Sequence, residues 1–549
     1  MLSTMQDVPL TVTRILNHGA TVHGTSQVTT WTGESEPQRR SFREIGARAA
    51  QLAHALREDL GVGEDERVAT FMWNNAEHVE AYFAVPCMGA VLHTLNLRLP
   101  AEQLTWIVGH AADRVIIVNG SLLGLIAPLL DRMPSVEHLV VSGPGDRSLL
   151  DGARARVHEY EDLIAAKPTD YDWPELDERR AAAMCYTSGT TGDPKGVVYS
   201  HRSIYLHSMQ VNMSQSMGLT DADTSLVVVP QFHVNAWGLP HATFMTGVGM
   251  LMPDRFLQPA PLAEMIEAER PSHAAAVPTI WQGLLAELTA KPRDVSCMHQ
   301  VTIGGAACPP SLMEAFDRLG VRVCHAWGMT ETSPLGTVSR PPAHTIGTDE
   351  EFAYRLTQGR FPAGVEGRLI GPDGSRLPWD GESAGELEVR GPWIAGSYYG
   401  GAGGEDIRPE DKFSADGWLK TGDVGVISAD GFLTLTDRAK DVIKSGGEWI
   451  SSVDLENALM SHPDVAEAAV VAVPDEKWGE RPLATVVLKE EATADYAALR
   501  DFLATRVAKW QLPERWAFVA AVPKTSVGKF DKKVLRRQYA HGELDVTRI

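Results

Sequence analysis

The sequence predicts an α/β protein: a large layered N-terminal domain with a β-rich subdomain, then a small α+β C-terminal domain. Three observations carry that prediction. At 549 residues the chain is too long for one hydrophobic core. Short apolar runs alternate with helical patterns through the first several hundred residues, as buried strands between helices do. A compact strand-and-helix pattern then returns after a stretch dense in glycine and turn residues.

In order along the chain, Ser41 and Glu44 form a capping-box pair ahead of a helix. Ile45, Ala49, Leu52, Ala53, Leu56 and Leu60 follow at helical spacing, and Gly61 is the C-cap. Apolar runs at 68–72, 115–118, 139–141, 226–229 and 301–303 read as strands of the layered body. Glycine and turn residues crowd 359–436, where the alternating run 386–390 marks the β-rich region. Beyond residue 440, runs at 468–473 and 484–488 and a helix over about 494–509 make the second unit. The boundary between the units is set at 438–440, dividing 1–437 from 441–549.

Net charge is −21, from 50 Lys+Arg and 71 Asp+Glu, which argues against nucleic acid or an anionic membrane as partner. From residue 439 onward 16 basic residues face 17 acidic ones, so the near-neutral C-terminal unit is the better side for an anionic ligand. Five widely spaced cysteines without a CxxC speak against disulfides or zinc and for a reducing, cytoplasmic setting. No signal peptide is expected at the N-terminus. The most apolar window, 233–253, contains Asn235, Pro240, His241 and glycines, and is expected to be a buried segment rather than a membrane span.

Chemistry concentrates in a few short runs. YTSGTTGDPKG at 186–196 follows an apolar strand and is suited to holding phosphate. Backbone N–H groups can converge on the oxyanions, Ser188, Thr190 and Thr191 add hydroxyls, and Lys195 adds charge. The spacing is not that of a Walker loop. This run resembles the signature loop of the adenylate-forming superfamily of acyl-CoA synthetases, luciferases and peptide-synthetase adenylation domains. Further segments resemble that family's motifs in the family's order. They are Gly304-Gly-Ala-Ala307, Trp327-Gly-Met-Thr-Glu331, Thr421-Gly-Asp423, Asp437-Arg438-Ala-Lys-Asp441 and Pro523-Lys-Thr-Ser-Val-Gly-Lys529. Taken singly, a tryptophan and a glutamate would more often be core and surface, and a loop lysine plain decoration. Their order along the chain reverses that.

The resemblance implies ATP, Mg²⁺ and coenzyme A as cofactor and co-substrates and a small carboxylic acid as partner, and it leaves room for a homodimer. It places Thr187, Ser188, Gly189, Thr190, Thr191, Gly192 and Lys195 on the phosphates. Gly305, Ala306, Ala307, Ala326, Trp327, Gly328, Met329 and Thr330 fall around the nucleotide, and Asp423 and Arg438 on ribose or phosphate. Trp327 stands where tyrosine is usual, which keeps the π-face but loses the phenol hydroxyl. Glu331 and Thr190 would hold Mg²⁺. Lys529 would be the catalytic lysine, and 438–440, with Lys440, the hinge about which a mobile C-terminal domain turns.

The run PQFHVNAW at 230–237 looks most like bacterial medium- and long-chain fatty acyl-CoA synthetases, including those acting on thioether acids such as methylmercaptopropionate. It implies that His233, Val234, Trp237, Gly305 and Trp327 line the acid site. His233 would face the carboxylate, and Trp237 would gate the acyl tunnel. Gly446, Gly447, Trp449 and Trp478 match positions along the CoA path. Two other readings stay open: a stand-alone enzyme loading a separate carrier protein, and a non-catalytic nucleotide-binding module that kept the fold.

Overall fold

The computed structural model describes residues 1–549 except 2, 35, 188–192, 439, 446–447, 491 and 526–528, and except the side chains of 448 and 449. Two sheets build the first four-fifths of the chain. One has seven strands in the order Arg156–Glu159, His138–Ser142, Val115–Asn119, Arg67–Phe71, Val91–Thr94, Ala181–Tyr186 and Gly196–Ser200. All its neighbours pair parallel except the last two, which pair antiparallel. Val115, Ile116, Ile117 and Val118 are wholly buried, as a parallel strand covered on both faces requires.

The capped helix is Phe42–His54. Ser41 Oγ accepts from the Glu44 N–H at 3.2 Å, and Glu44 Oε2 accepts from the Ser41 N–H at 2.7 Å. Phe42, Ile45, Ala49, Leu52 and Ala53 are buried along one face. The last expected turn winds instead as a π-helix, Ala55–Asp59, before Gly61 at φ +64°.

The second sheet has thirteen strands. Its parallel half contains Thr224–Leu226, Gly249–Met252, His273–Ala276, Gln300–Ile303 and Arg322–Gly328. From Leu335–Val338 onward the pairing is antiparallel, through Gly359–Arg360, Phe432–Arg438, Leu419–Ile427, Gly385–Arg390 and Glu366–Ile370. This is the β-rich subdomain. The strand read at 226–229 lies earlier, at 224–226. Val227 and Val229 stay buried, but Asn74 Nδ2 donates to their carbonyls at 2.7 and 2.8 Å and takes the acceptors a longer strand would offer.

After Arg438 the next strand, Ile443–Ser445, belongs to a separate six-stranded sheet centred on Gly479–Leu488. Helices Ser452–Met460, Tyr496–Ala504 and Lys532–Ala540 complete this smaller unit. Leu455, Leu459, Leu499, Leu503 and Trp516 share one core. The helix expected over 494–509 is only Tyr496–Ala504. Asp495 caps it by accepting from Ala498 N–H at 2.8 Å, and the β-branched Thr505 and Val507 follow its end.

A polar seam forms where the two units meet, and Asp437 carries it across from the larger one. Asp437 Oδ2 accepts from Ser452 N at 2.7 Å and Ser452 Oγ at 2.5 Å. Lys532 reaches Ser452 Oγ at 2.5 Å and Glu456 at 2.8 Å, and Arg536 meets Asp441 at 2.5 Å. The apolar window 233–253 becomes a short turn, the helix Leu239–Thr246 and the strand Gly249–Met252. Among the described residues, no helix is long and apolar enough to cross a membrane.

Candidate active site

The strand Ala181–Tyr186 delivers the phosphate-loop segment. Thr187 N–H donates to the Lys195 carbonyl at 2.9 Å, and Lys195 N–H to Thr187 Oγ1 at 3.2 Å, closing the base of a hairpin. Its tip, with Ser188, Gly189, Thr190, Thr191 and Gly192, lies outside the described residues. Tyr186 hydroxyl pairs with His110 Nδ1 at 2.7 Å, and Trp106 stacks on that imidazole with centroids 4.6 Å apart. Tyr399 N–H donates to the Gly196 carbonyl at 2.9 Å.

Tyr398 joins this hairpin to the next motif. Lys195 Nζ sits 5.0 Å from the Tyr398 ring centre, a cation–π distance, and Tyr398 OH donates to Glu331 Oε1 at 2.7 Å. Glu331 is buried, at 6% exposure. A carboxylate there is a hard oxygen donor of the kind Mg²⁺ prefers. Among the described residues no group of three or more His, Cys, Asp or Glu could cage a metal. That donor set fits an ion taking one carboxylate plus substrate phosphates, rather than an all-protein cage.

Trp327 ends the buried strand Arg322–Gly328. Its indole Nε1–H donates to Asp423 Oδ2 at 2.8 Å, and Asp423 Oδ1 lies 3.2 Å from Arg438 Nε. The tryptophan that stands where tyrosine is usual thus has a hydrogen bond of its own, through the indole nitrogen. The ring's space depends on Gly336, where a Cβ would fall 2.3 Å from Trp327 Cε3. Ala326 pairs with Val338 beside it, Met329 N–H donates to Thr332 Oγ1 at 2.9 Å, and Tyr199 hydroxyl fixes the Thr330 carbonyl at 2.8 Å. Gly328 admits no side chain, since a Cβ would lie 1.7 Å from the Pro334 carbonyl oxygen.

The loop after Gln300–Ile303 receives groups from both units. A Cβ on Gly304 would stand 3.2 Å from Trp237 Cη2, so the indole lies against that glycine. Gly305, at φ +80°, faces Val277 and the small domain's Lys529, whose Cε lies 3.4 Å from where a Cβ would be. Ala306 is exposed and Ala307 half-buried on the same turn. Lys529 is held at the foot of its own hairpin. Thr525 N–H donates to the Lys529 carbonyl at 2.7 Å, and Lys529 N–H to Thr525 Oγ1 at 3.2 Å. Burial and then the Arg438 cation push Lys529 down to about 8, against the pull of Asp423 and Glu331. Burial, followed by Lys529 and Arg98, pushes His233 down to about 3, so the imidazole is neutral at neutral pH.

Not every expected residue joins this group. Lys440 is exposed, and its carbonyl accepts from Arg536 at 3.4 Å. Gly446, Gly447 and the Trp449 side chain lie outside the described residues. Trp478 is 42% exposed in the turn before Gly479, which pairs with Ser445. None of its contacts among the described residues reaches the Trp327–Lys529 group. Tyr398 and Tyr199 were not anticipated. Tyr398 stands 67 residues beyond Glu331 in a turn-rich stretch, where no periodicity marks it.

The family model described as AMP-binding enzyme matches residues 17–399, and the AMP-binding enzyme C-terminal domain matches 454–529. The 3-methylmercaptopropionyl-CoA ligase of Ruegeria pomeroyi is 43% identical over 98% of this chain and 99% of its own. A medium-chain-fatty-acid–CoA ligase of Ectopseudomonas oleovorans is 42% identical over 98% of each chain. The solved structure of an anthranilate CoA ligase with anthranoyl-AMP superposes with a TM-score of 0.86 at 26% identity, covering 98% of this chain and 100% of that one. With a family match across most of its length and relatives above 40% identity end to end, the chain belongs to the AMP-binding enzyme family.

Proposed function

We infer that this chain is an ATP-dependent, AMP-forming acyl-CoA ligase that activates a fatty or short thioether carboxylic acid. The carrying observation is Lys529, on the small unit, lying over Gly305 while Trp327, Asp423 and Arg438 are linked beside it. Ligase activity on such acids is also what the names of the full-length relatives state.

In the first step a carboxylate oxygen attacks the α-phosphorus of ATP, the bond to the β-phosphate oxygen breaks, and pyrophosphate leaves. Two anions meet, so charge placement dominates the barrier. Lys529 supplies a compact cation between them. Lys195 and the 187–195 hairpin hold the phosphates, Trp327 offers its face to adenine, and Asp423 and Arg438 border the ribose. His233, being neutral, orients the carboxylate by a hydrogen bond rather than by an ion pair. Glu331, with Thr190, would hold Mg²⁺, whose charge offsets that of the phosphates. In the second step the CoA thiol sulfur attacks the acyl carbon, AMP leaves with the bonding pair, and the thiol proton is lost to solvent.

We divide the chain at the change of sheet: 1–437, a hinge 438–440 containing Lys440, and 441–549. Gly446, Gly447, Trp449 and Trp478 are assigned to the CoA path. The reaction is placed in the cytoplasm, in keeping with five unpaired cysteines. The test is AMP release measured with acid and CoA each present or omitted. Release that needs both establishes the ligase. Release that needs acid and an added carrier protein, with no response to CoA, would replace it.

Two predictions arise here. Lys529 must be protonated to act, and its pKa sits near 8, so the charge is present below that pH and lost above it. Acid-dependent pyrophosphate exchange should therefore show kcat/KM falling above about pH 8, approaching about tenfold per pH unit. A profile flat to high pH would show that Lys529 is not the titrating group. Trp237 packs on Gly304 and is 7% exposed. Trp237→Ala should shift the preference among acids of graded length by about an order of magnitude, at ~0.8 kcal/mol per methylene regained or lost, and leave the KM for ATP nearly unchanged. An unaltered acid profile would remove Trp237 from the acid site.

A further inference from the structure

Residues 234–238 form one turn of left-handed helix. The φ angles are +46°, +51°, +53° and +57° at Val234, Asn235, Ala236 and Trp237, and +73° at Gly238. Four consecutive L-residues with side chains carry a steric penalty in that conformation, and a β-branched valine there is an outlier even singly. Such a turn persists only where its surroundings over-determine it.

They do so through Asn235, at 5% exposure. Its Oδ1 accepts from Cys185 Sγ at 2.9 Å and from Thr94 Oγ1 at 3.3 Å, and those two donors lie 3.1 Å from each other. Burial pushes the Cys185 thiol up to about 11, so it stays protonated and able to donate at neutral pH. Gly238 closes the turn against His207, where a Cβ would fall 2.6 Å from the ring. One end of the turn therefore carries His233, and the other sets Trp237 against Gly304. Thr94 ends one of two adjacent parallel strands and Cys185 is the penultimate residue of the other, which runs straight into the 187–195 segment. The clamp thus ties the acid-facing turn to the same strand that presents the phosphate loop.

We propose that Asn235 is a positioning residue for the acid: its carboxamide, gripped by Thr94 and Cys185, holds the 234–238 turn left-handed and thereby fixes Trp237 and the range of acids accepted. This rests on the acyl-CoA ligase reading. Without the grip the turn relaxes toward right-handed backbone, the Trp237 side chain leaves Gly304, and discrimination by chain length weakens. The selectivity effect is transmitted through backbone handedness, so Asn235 need not touch the acid.

The test measures pyrophosphate exchange with a graded series of straight-chain acids for wild type, Asn235→Ala, Asn235→Gly and Thr94→Val, each checked for folding by circular dichroism. Expected is a change of about tenfold in the longest-to-shortest kcat/KM ratio for Asn235→Ala, with the KM for ATP within about twofold of wild type. Thr94→Val should move the ratio in the same direction by less. Glycine adopts the left-handed region freely but brings no carboxamide, so Asn235→Gly should share the alanine shift. A wild-type ratio in Asn235→Gly would assign the effect to backbone strain and overturn the clamp. So would a folded Asn235→Ala whose melting temperature falls while its acid ratio stays fixed. If the alanine variant does not fold, the glycine and valine variants decide. Acid-dependent exchange in wild type beside unshifted variants overturns the clamp alone, whereas its absence from wild type overturns the ligase reading and the clamp together.

Discussion

Lys529→Ala is expected to lower acyl-adenylate formation by roughly two or more orders of magnitude, while pre-made acyl-AMP and CoA still give thioester at a near-normal rate. The ammonium lies against Gly305, within the electrostatic reach of Asp423, Glu331 and Arg438. A cation there offsets repulsion that peaks as carboxylate and α-phosphate close on each other. Removal of one such preorganised group commonly costs about 3–4 kcal/mol of transition-state stabilisation. Arginine should rescue poorly, because its planar fork does not reproduce a compact ammonium wedged against a glycine. Deleting Lys529 should not unfold the protein, since its hairpin is closed by backbone and Thr525 rather than by the ammonium. In the second step the leaving AMP needs no cation between two approaching anions, which is why the half-reactions separate. A folded variant that loses both equally would show that Lys529 acts throughout and that the small unit does not withdraw.

The parts of this architecture that the sequence disclosed are those with local causes. The Ser41–Glu44 box is visible because both reciprocal hydrogen bonds come from residues three apart. The buried strands at 115–119 and 300–303 are short apolar runs between helices. Motif order along the chain singled out Lys529 and Glu331, which no single run could distinguish from surface charge, and neither proves to be a surface charge in the fold. What stayed hidden depends on contacts distant in sequence. Asn235 meets Cys185 50 residues away and Thr94 141 residues away. Nothing in the run HVNAW signals a left-handed turn, since of Val234, Asn235, Ala236 and Trp237 only Asn235 favours that region. The early end of the strand at Leu226 has the same origin, because Asn74 reaches across 153 residues to take the Val227 carbonyl. The exchange of tyrosine for tryptophan at Trp327 could be noticed but not resolved. The partner of its indole N–H was hidden too, since Asp423, whose carboxylate accepts it, lies 96 residues on.

Lys440→Pro should spare adenylation and depress thioester formation. The observed arrangement has the small unit delivering Lys529 onto the 304–307 loop, and the seam holds it there. Asp437 grips the N-terminus of the helix Ser452–Met460, Ser451 Oγ donates to the Thr436 carbonyl at 2.5 Å, and Arg536 binds both Asp441 and the Lys440 carbonyl. The CoA thiol must reach the acyl carbon from a direction that Lys529 and its hairpin now occupy, so the small unit has to turn. The chain crosses between the units through 438–442, leaving few dihedrals to absorb that turn. Proline at 440 fixes φ near −65° and also confines residue 439. If the present orientation tolerates proline and the other does not, the barrier to turning rises by about 1.4–3 kcal/mol, a loss of one to two orders of magnitude in the thioester step alone. Lys440→Ala is the necessary companion, since it removes the ammonium but leaves the backbone free, and it should preserve both half-reactions. Equal decline of both half-reactions in a folded Lys440→Pro protein would move the hinge elsewhere, with Arg438 and Asp441 next to be tried. A thioester step untouched by proline would mean that the units exchange places without bending at this crossing, and the polar seam, rather than the hinge backbone, would then be the element that sets the rate.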